Sequence, residues 1–450
     1  MLQFIQRRLN YLLHYFYIRD LSLFDTIIAD SKLSTTEQNK RRLERLNELI
    51  IHAYNNVPYY KRVFSKCDID ISKGLKKLSD LSHLPILAKD DIRENTEDIL
   101  FPGHKVRKSF TDTSGGSTGA PIIVFQDAMY KQEGAAMFQF IKQMRGINPF
   151  GNVAVLWGAA RDLYGEQNTI KGHIIDFVTN SKAFNSARMT EKDILSFIKF
   201  INKKNPDLVL AYAQSIYEIA LFAEQHDVNI KPQRAIHTGA GQLFSFMRET
   251  IERVFQCKVY DHYGGREFGA VATECDYGSG LHVLGYNRIV EIVDKQNNIC
   301  KDNEEGEIVV TVLNNFSMPL IRYKVGDVGL WSLEKNCACG NNYRKILRIT
   351  GRTANNFPLK EGGMVSGEYL TLSYNNIPGI VSFQIRQKNY HKIIIYLITD
   401  EKYQNSTEDY IRNRMLKLFG SELQLNYQYV DEIPTTSTGK HLFTVSEIAR

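Results

Sequence analysis

Thr113-Ser114-Gly115-Gly116-Ser117-Thr118-Gly119-Ala120-Pro121 holds three glycines, four hydroxyl side chains and no charge, and the apolar run Ile122-Ile123-Val124-Phe125 follows at once. Such a stretch has little apolar surface to bury and many backbone N–H groups in need of partners. A polyphosphate satisfies those donors, because glycines let the backbone approach closely and hydroxyls add further hydrogen bonds. A solvated Gly/Ser surface loop is the alternative that composition alone permits.

Two sharper motifs resemble this segment and fail on context. A Walker P-loop ends in Gly-Lys-Ser/Thr, its lysine reaching the β/γ-phosphates; here Gly119 is followed by Ala120-Pro121. Gly115-Gly116-Ser117-Thr118-Gly119 also fits the G-x-S-x-G elbow of α/β-hydrolases, but that elbow needs a helix directly after its serine. Pro121 and the Ile-Ile-Val-Phe run read as a strand instead.

At 450 residues the chain exceeds one ordinary core, so two or more domains are expected. Its 43% apolar and 24% charged residues are those of a globular protein. The net charge of +6 suits small anions, yet the Lys and Arg are scattered and form no nucleic-acid footprint. Six cysteines in so long a chain do not make a disulfide scaffold, and a cytoplasmic location is expected. Residues 1–20 are apolar and aromatic but interrupted by Arg7, Arg8 and Arg19. No uncharged run there reaches the ~18 residues of a spanning helix, so no transmembrane segment is expected. A packed amphipathic helix is expected, with a membrane-surface helix as the alternative.

Between Thr190 and Asp261 helical and strand patterns alternate. Thr190 with Asp193 forms a capping signal before Ile194, Leu195, Phe197, Ile198 and Ile201. Leu208 to Tyr212 reads as a buried strand, Ser215 to Gln225 as a helix, Ala235 to Thr238 as a strand, Leu243 to Phe255 as a helix and Lys258 to Asp261 as a strand. This alternation predicts a parallel sheet with covering helices, whose ligands bind at the carboxyl ends of the strands. Gly239-Ala240-Gly241 and Tyr263-Gly264-Gly265 fall at that end. After Lys345 the pattern changes to strands at Val381–Arg386, Lys392–Ile398 and Gln424–Val430 around a helix at Thr407–Phe419. The expected fold is α/β: a large N-terminal domain (1–351) with mostly parallel sheets and covering helices, joined by a hinge to a small C-terminal α+β domain (352–450).

Three further segments carry chemistry. Tyr263-Gly264-Gly265-Arg266-Glu267 offers an aromatic face for a purine and a carboxylate for magnesium, which takes one or two carboxylates plus phosphate oxygens. A salt bridge from Glu267 to Arg266 or Lys258 is the plainer reading. Arg322 to Asp327 places an acid after a glycine turn, where it can bond both ribose hydroxyls. Pro434 to Lys440 puts one lysine at the end of a polar loop, where it can neutralise charge developing on a phosphoryl group.

Taken in order, these segments resemble the adenylate-forming superfamily of acyl-CoA synthetases, peptide-synthetase adenylation domains and luciferases. Within it the chain is most similar to the phenylacetate–CoA ligase family, in particular its branch from capsule and surface-polysaccharide loci. The resemblance runs from about residue 50 nearly to the end of the chain. It implies that Thr113, Ser114, Gly115, Gly116, Ser117, Thr118 and Gly119 hold the β/γ-phosphates of ATP, and that Gly239, Ala240 and Gly241 contact adenine. Asp261, Tyr263 and Gly264 then line the nucleotide, Glu267 binds Mg2+, Asp327 grips the ribose, Arg352 marks the hinge and Lys440 is the catalytic lysine. The partners so implied are a small carboxylic acid, ATP and coenzyme A or another acyl acceptor. The oligomeric state stays open. Arg266 stands where the family usually carries Ser or Thr, and Ala354 and Asn355 stand where its hinge is usually acidic.

Cys275, His282, Cys337 and Cys339 form a C-x6-H and a C-x-C pair. Tetrahedral zinc takes such ligands, and the alternative is four unbridged thiol and imidazole groups. The resemblance adds relatives with a structural zinc at similar positions. Cys67, Cys257 and Cys300 lack partner spacing and are expected to be buried small hydrophobes. The wall of the acid pocket is expected around Trp157 to Arg161 and near His237. Three readings of function remain: adenylation followed by thioester formation with CoA, adenylation followed by transfer to a carrier thiol, amine or sugar, and a catalytically silent nucleotide-binding protein.

Overall fold

The computed structural model describes residues 21–114, 122–157, 181–186, 189–278, 280–352, 357–360, 364–365, 367, 370–371, 374, 377–433 and 442–448. The helix expected over residues 1–20 lies outside them. The chain divides into two compact units, one of residues up to 325 with 329–349, the other of 326–328 with residues from 350 onward.

The larger unit begins with two helices, α1 (Leu21–Lys32) and α2 (Thr35–Asn56). Ser34 caps α2 and Glu37 returns the bond to the Ser34 N–H at 3.0 Å, a reciprocal cap that satisfies two end donors. The hairpin β1 (Phe110–Thr113) and β2 (Ile123–Gln126) follows, in antiparallel register with Thr113 opposite Ile123. Asp127 then caps α3 (Ala128–Met144) by accepting from the Tyr130 N–H at 3.1 Å.

Strands β3 (Val153–Trp157), β4 (Ser181–Asn185), β5 (Leu208–Tyr212), β6 (Ala235–Gly239) and β7 (Lys258–Gly265) form the parallel part of the main sheet. Between them run α4 (Glu191–Lys204), α5 (Ala213–Gln225) and α6 (Ser245–Phe255). Parallel strands covered on both faces are apolar on both, and Val209, Ala211, Ala235 and Ile236 are accordingly buried. Thr190 and Asp193 make the expected capping box of α4. The antiparallel strands β8 (Gly269–Thr273), β9 (Leu281–Val283), β10 (Arg288–Val293) and β11 (Gly306–Val312), with β12 (Tyr323–Trp331) and β13 (Lys345–Arg352), extend the sheet to the order β10-β11-β12-β13-β9-β8-β7-β6-β5-β3-β4.

The smaller unit holds β14 (Phe357–Pro358), β15 (Met364–Val365), β16 (Ile380–Asn389), β17 (Lys392–Thr399), α7 (Asn405–Phe419), β18 (Gln424–Tyr429) and β19 (Thr444–Ser446). Its four-stranded sheet runs β18-β17-β16-β19 over a core of Phe383, Ile385, Ile393, Ile395, Ile411 and Met415.

Two local expectations differ from the structure. Strand β7 does not stop at Asp261 but continues to Gly265, because it exchanges a parallel partner (β6) for an antiparallel one (β8) at His262. Cys67, Cys257 and Cys300 are half-buried rather than buried.

Arg322 shows how the fold uses a residue of the ribose motif. Its side chain is 2% exposed and its backbone φ is +52°. Nε donates to Glu291 Oε2 at 3.0 Å, and Nη1 donates to the Ser82 carbonyl at 2.8 Å and to that of Leu84. Burial raises the Glu291 pKa, and Arg322 opposes the rise. Arg322→Met leaves a buried carboxylate without its cation and should destabilise the larger unit by about 3–5 kcal/mol. Arg322→Met with Glu291→Leu should recover most of that loss in a denaturant titration; no recovery would refute the pairing.

Candidate active site

The hairpin β1–β2 places the two ends of the glycine-rich loop side by side. Ser114 N–H donates to the Ile122 carbonyl and Ile122 N–H to Ser114 Oγ, both at 2.9 Å, so this hydroxyl closes the base of the loop. Thr113 ends β1. Gly115, Gly116, Ser117, Thr118 and Gly119 lie outside the described residues.

Gly239 ends β6, and Ala240 beyond it has φ +62°, a left-handed conformation that costs a non-glycine residue about 1–2 kcal/mol. Such strain is characteristic of ligand-binding turns. A Cβ on Gly241 would meet nothing within 4 Å. Beside this loop the Trp157 ring meets Tyr212 edge-on, with centroids 4.3 Å apart, at the carboxyl ends of β3 and β5. Arg161, the other expected wall residue, lies outside the described residues.

Asp261, Tyr263 and Gly264 all lie on β7. Gly264 is required by packing: a Cβ there would stand 2.6 Å from the Gly269 carbonyl oxygen of β8. Glu267 sits in the turn between β7 and β8 and is 7% exposed. Among the described residues no cation or donor engages its carboxylate, and Lys258 bonds Asp276 at 2.7 Å instead. Asp327, 7% exposed, lies on β12 and belongs to the second unit. Arg352 ends β13, its side chain outside the described residues, as are Ala354, Asn355 and the whole of Lys440.

Sequence reasoning missed the group beneath this region. Arg145, 4% exposed, bonds His237 Nδ1 at 2.8 Å, the Glu274 carbonyl at 3.0 Å and Thr273 Oγ1, and stacks on Tyr260. Burial lowers its pKa to about 10. The same burial, with Arg145 adjacent, holds His237 well below the ordinary histidine range and His262 at about 3, so both imidazoles are neutral. An arginine following a helix looks like a C-terminal dipole partner. Nothing local announces partners 92 to 129 residues away.

Cys275, His282, Cys337 and Cys339 converge, their ligand atoms all within 4.8 Å of one another. Register explains it: His282 on β9 faces Thr273 of β8 and Lys345 of β13, so the segments after β8 and before β13 meet beside it. Cys275 Sγ lies 3.6 Å from Cys337 Sγ, and Cys339 Sγ 3.4 Å from His282 Nε2. A tetrahedron with the usual Zn–S and Zn–N lengths has edges of about 3.5–3.8 Å. His282 Nδ1 lies 2.9 Å from the Tyr343 carbonyl, a bond that requires Nδ1–H and leaves Nε2 as a ligand. Hydrogen bonds from Cys339 and His282 hold the Cys275 thiol below its ordinary pKa, and the same pairing raises Cys339. These donors fit one tetrahedral ion.

Known proteins resemble this chain in sequence and in fold. The CapK C-terminal domain family matches residues 358–447. Protein CapK of Staphylococcus aureus is 25% identical over 412 residues, covering 90% of this chain and 88% of that protein. A phenylacetate–coenzyme A ligase of Thermus thermophilus is 24% identical over 341 residues, 72% of each. Among solved structures, 2-hydroxyisobutyryl-CoA ligase with R3-HIB-AMP, in its postadenylation state, superposes with a TM-score of 0.73 over 93% of this chain and 91% of that one, at 17% identity. The last of these establishes the fold.

Asp261 provides a pH test of the site. Its carboxyl is pushed up to about 7, first by burial and then by Glu274. A folded pKa above the unfolded one gives stability that is present at low pH and lost as pH rises through about 7. Asp261→Asn keeps an acceptor for the His262 N–H, now 2.8 Å from Oδ1, and cannot ionise. Its melting temperature relative to the parent chain should rise between about pH 5 and pH 8; a constant difference would refute the shift.

Proposed function

We propose that this chain, a homologue of CapK and of the phenylacetate–coenzyme A ligases, is an ATP-dependent carboxylate ligase that forms an acyl-adenylate and passes the acyl group to coenzyme A. The observation that carries this reading is the bond that ties the turn bearing Glu267 to Gln126, at the end of hairpin β1–β2 opposite the base of the glycine-rich loop. A buried carboxylate that no described side chain neutralises is thereby tied to the hairpin whose strands carry both ends of the glycine-rich loop.

In the first step the substrate carboxylate attacks the α-phosphorus of ATP and pyrophosphate leaves with the electrons of the broken P–O bond. Hydroxyls and backbone N–H groups of the Thr113–Gly119 loop hold the departing phosphates, and Glu267 would hold a Mg2+ ion, which would supply positive charge against theirs. Asp327 binds the ribose, and Lys440 offsets charge on the α-phosphoryl group. Positioning and electrostatics supply most of phosphoryl-type catalysis, so these residue types suffice. In the second step a thiolate attacks the acyl carbonyl and AMP leaves. A carrier thiol, an amine or a sugar hydroxyl is the second reading of the acceptor.

The test is ATP–pyrophosphate exchange across a panel of carboxylic acids, followed by product identification with CoA and with amine or sugar acceptors. At least one acid should support exchange. None across a broad panel would favour a nucleotide-binding protein without chemistry. Lys440→Ala should lower exchange by about 10²-fold or more while ATP binding persists; near-normal exchange would remove Lys440 from the mechanism.

The Cys275, His282, Cys337 and Cys339 cluster is read as a structural zinc site, since closed sites use four protein ligands. Protein purified without chelator should carry close to one zinc per chain, and Cys339→Ser should lose most of it. Less than about a tenth of a mole per mole would end this assignment.

A further inference from the structure

The turn that carries Glu267 is gripped from both sides by side chains remote in sequence. Gln126, 4% exposed, is the last residue of β2, and its Nε2 donates to the Arg266 carbonyl at 2.7 Å. Arg288, also 4% exposed, opens β10, and its Nε donates to the Phe268 carbonyl at 2.7 Å. The two accepting carbonyls belong to the residues immediately before and after Glu267.

Each gripping side chain is itself fixed. Arg288 Nη1 donates to the Asn287 carbonyl and to Asn314 Oδ1, both at 2.7 Å. Gln126 stands opposite Phe110 in the hairpin whose far end, at Ser114 and Ile122, closes the base of the glycine-rich loop. Beneath the turn Gly269 has φ +69°, and a Cβ there would lie 2.6 Å from the Tyr130 hydroxyl and 2.8 Å from Arg288 Nη2. The Tyr130 phenol is pushed to about 12 by burial, with Asp112 and Glu267 both adding to the rise. Hairpin and turn therefore share one electrostatic neighbourhood. Neither bond is needed to form the β7–β8 connection, whose ladder already runs from His262↔Thr273 to Gly265↔Gly269.

The geometry points to Gln126 and Arg288 as positioning residues for the magnesium carboxylate. They clamp the peptide groups on either side of Glu267, and Gln126 ties that turn through β2 to the hairpin whose other end, at Ser114 and Ile122, closes the base of the glycine-rich loop. This rests on the reading of Glu267 as the Mg2+ ligand. Gln126 does the coupling, being the one member of the clamp on the strand that returns from the loop; Arg288 anchors the turn to the start of β10. Groups that orient a metal ligand without touching the metal shift metal affinity rather than nucleotide contacts.

The experiment measures ATP affinity calorimetrically in the full-length chain over a range of free Mg2+, and so needs no knowledge of the acid. Four proteins are compared: the parent, Glu267→Gln, Gln126→Met (similar length, no donor) and Arg288→Lys, with melting temperatures as a check on folding. Gln126→Met should raise the Mg2+ concentration for half-maximal tightening of ATP by about tenfold, with ATP affinity recovering at saturating Mg2+. Arg288→Lys should shift it in the same direction, and serves as the readout if Gln126→Met does not fold. A parent-like Mg2+ requirement in the folded variants, or a loss of ATP affinity that Mg2+ does not restore, overturns the clamp while Glu267→Gln still shows a shift. An unshifted requirement in Glu267→Gln overturns the reading of Glu267 and the clamp together.

Discussion

One guanidinium holds the main sheet together where its two halves meet. Arg145 leaves the end of α3 and bonds His237 of β6, Thr273 of β8 and the backbone at Glu274, with the face of Tyr260 of β7 against its plane. Removing an arginine from water costs several kcal/mol unless its donors are used, about as much as many whole domains can spare. Here the donors are spent on the strands that change partner. At His262 strand β7 stops pairing parallel with β6 and begins pairing antiparallel with β8. Such a joint leaves carbonyls and hydroxyls of neighbouring strands without ladder partners, and a planar five-donor group can satisfy several at once. His237 and His262 are kept neutral first by burial and then by the same charge, since a second cation beside a buried guanidinium is unfavourable.

The joint determines where the candidate site stands. Because β7 outlasts its parallel neighbour, Tyr263 and Gly264 extend beyond the carboxyl end of β6, which stops at Gly239 before the strained Ala240. The chain must then turn within three residues to start β8, and that short turn carries Glu267. A carboxylate on so tight a connection has little freedom of its own, so its placement is inherited from the strands on either side. The hairpin β1–β2, which reaches the turn through Gln126, adds the ends of the glycine-rich loop, Ser114 and Ile122, to the same frame.

What the sequence made legible was local or ordered along the chain. Thr190 and Asp193 announced a helix start because a capping box is a contact across three residues. Leu208 to Tyr212 was readable as a strand because both faces of a parallel strand are apolar. The C-x-C pair with Cys275 and His282 was legible because metal ligands are few residue types with restricted spacings, and the structure brings all four together. The antiparallel strands β8 to β11 were not described in advance, since short strands between loops carry weak periodicity. Nor were Arg145, Gln126 or Arg288, whose contacts span 20 to 140 residues and leave no local pattern. Arg322 left no local pattern either: it lies in the segment whose expected ribose ligand is Asp327, and its Nε and Nη1 are taken by Glu291 and two carbonyls.

The cysteine–histidine cluster and the Glu267 turn lie at opposite ends of one strand. Glu267 precedes β8 by two residues and Cys275 follows it by two, so the same five-residue strand joins the cluster to the candidate magnesium ligand. Strand β8 is short, and short strands hold register poorly unless something fixes an end. Four donors convergent on one point fix Cys275 against β9 and against the segment before β13, and thereby the register Thr273↔His282. Register has period two, so a slip of a single residue would turn every β8 side chain to the other face and break the pairing Gly265↔Gly269 at the turn. A cluster remote from the candidate site thus bears on it mechanically, through the strand whose register fixes the turn that carries Glu267.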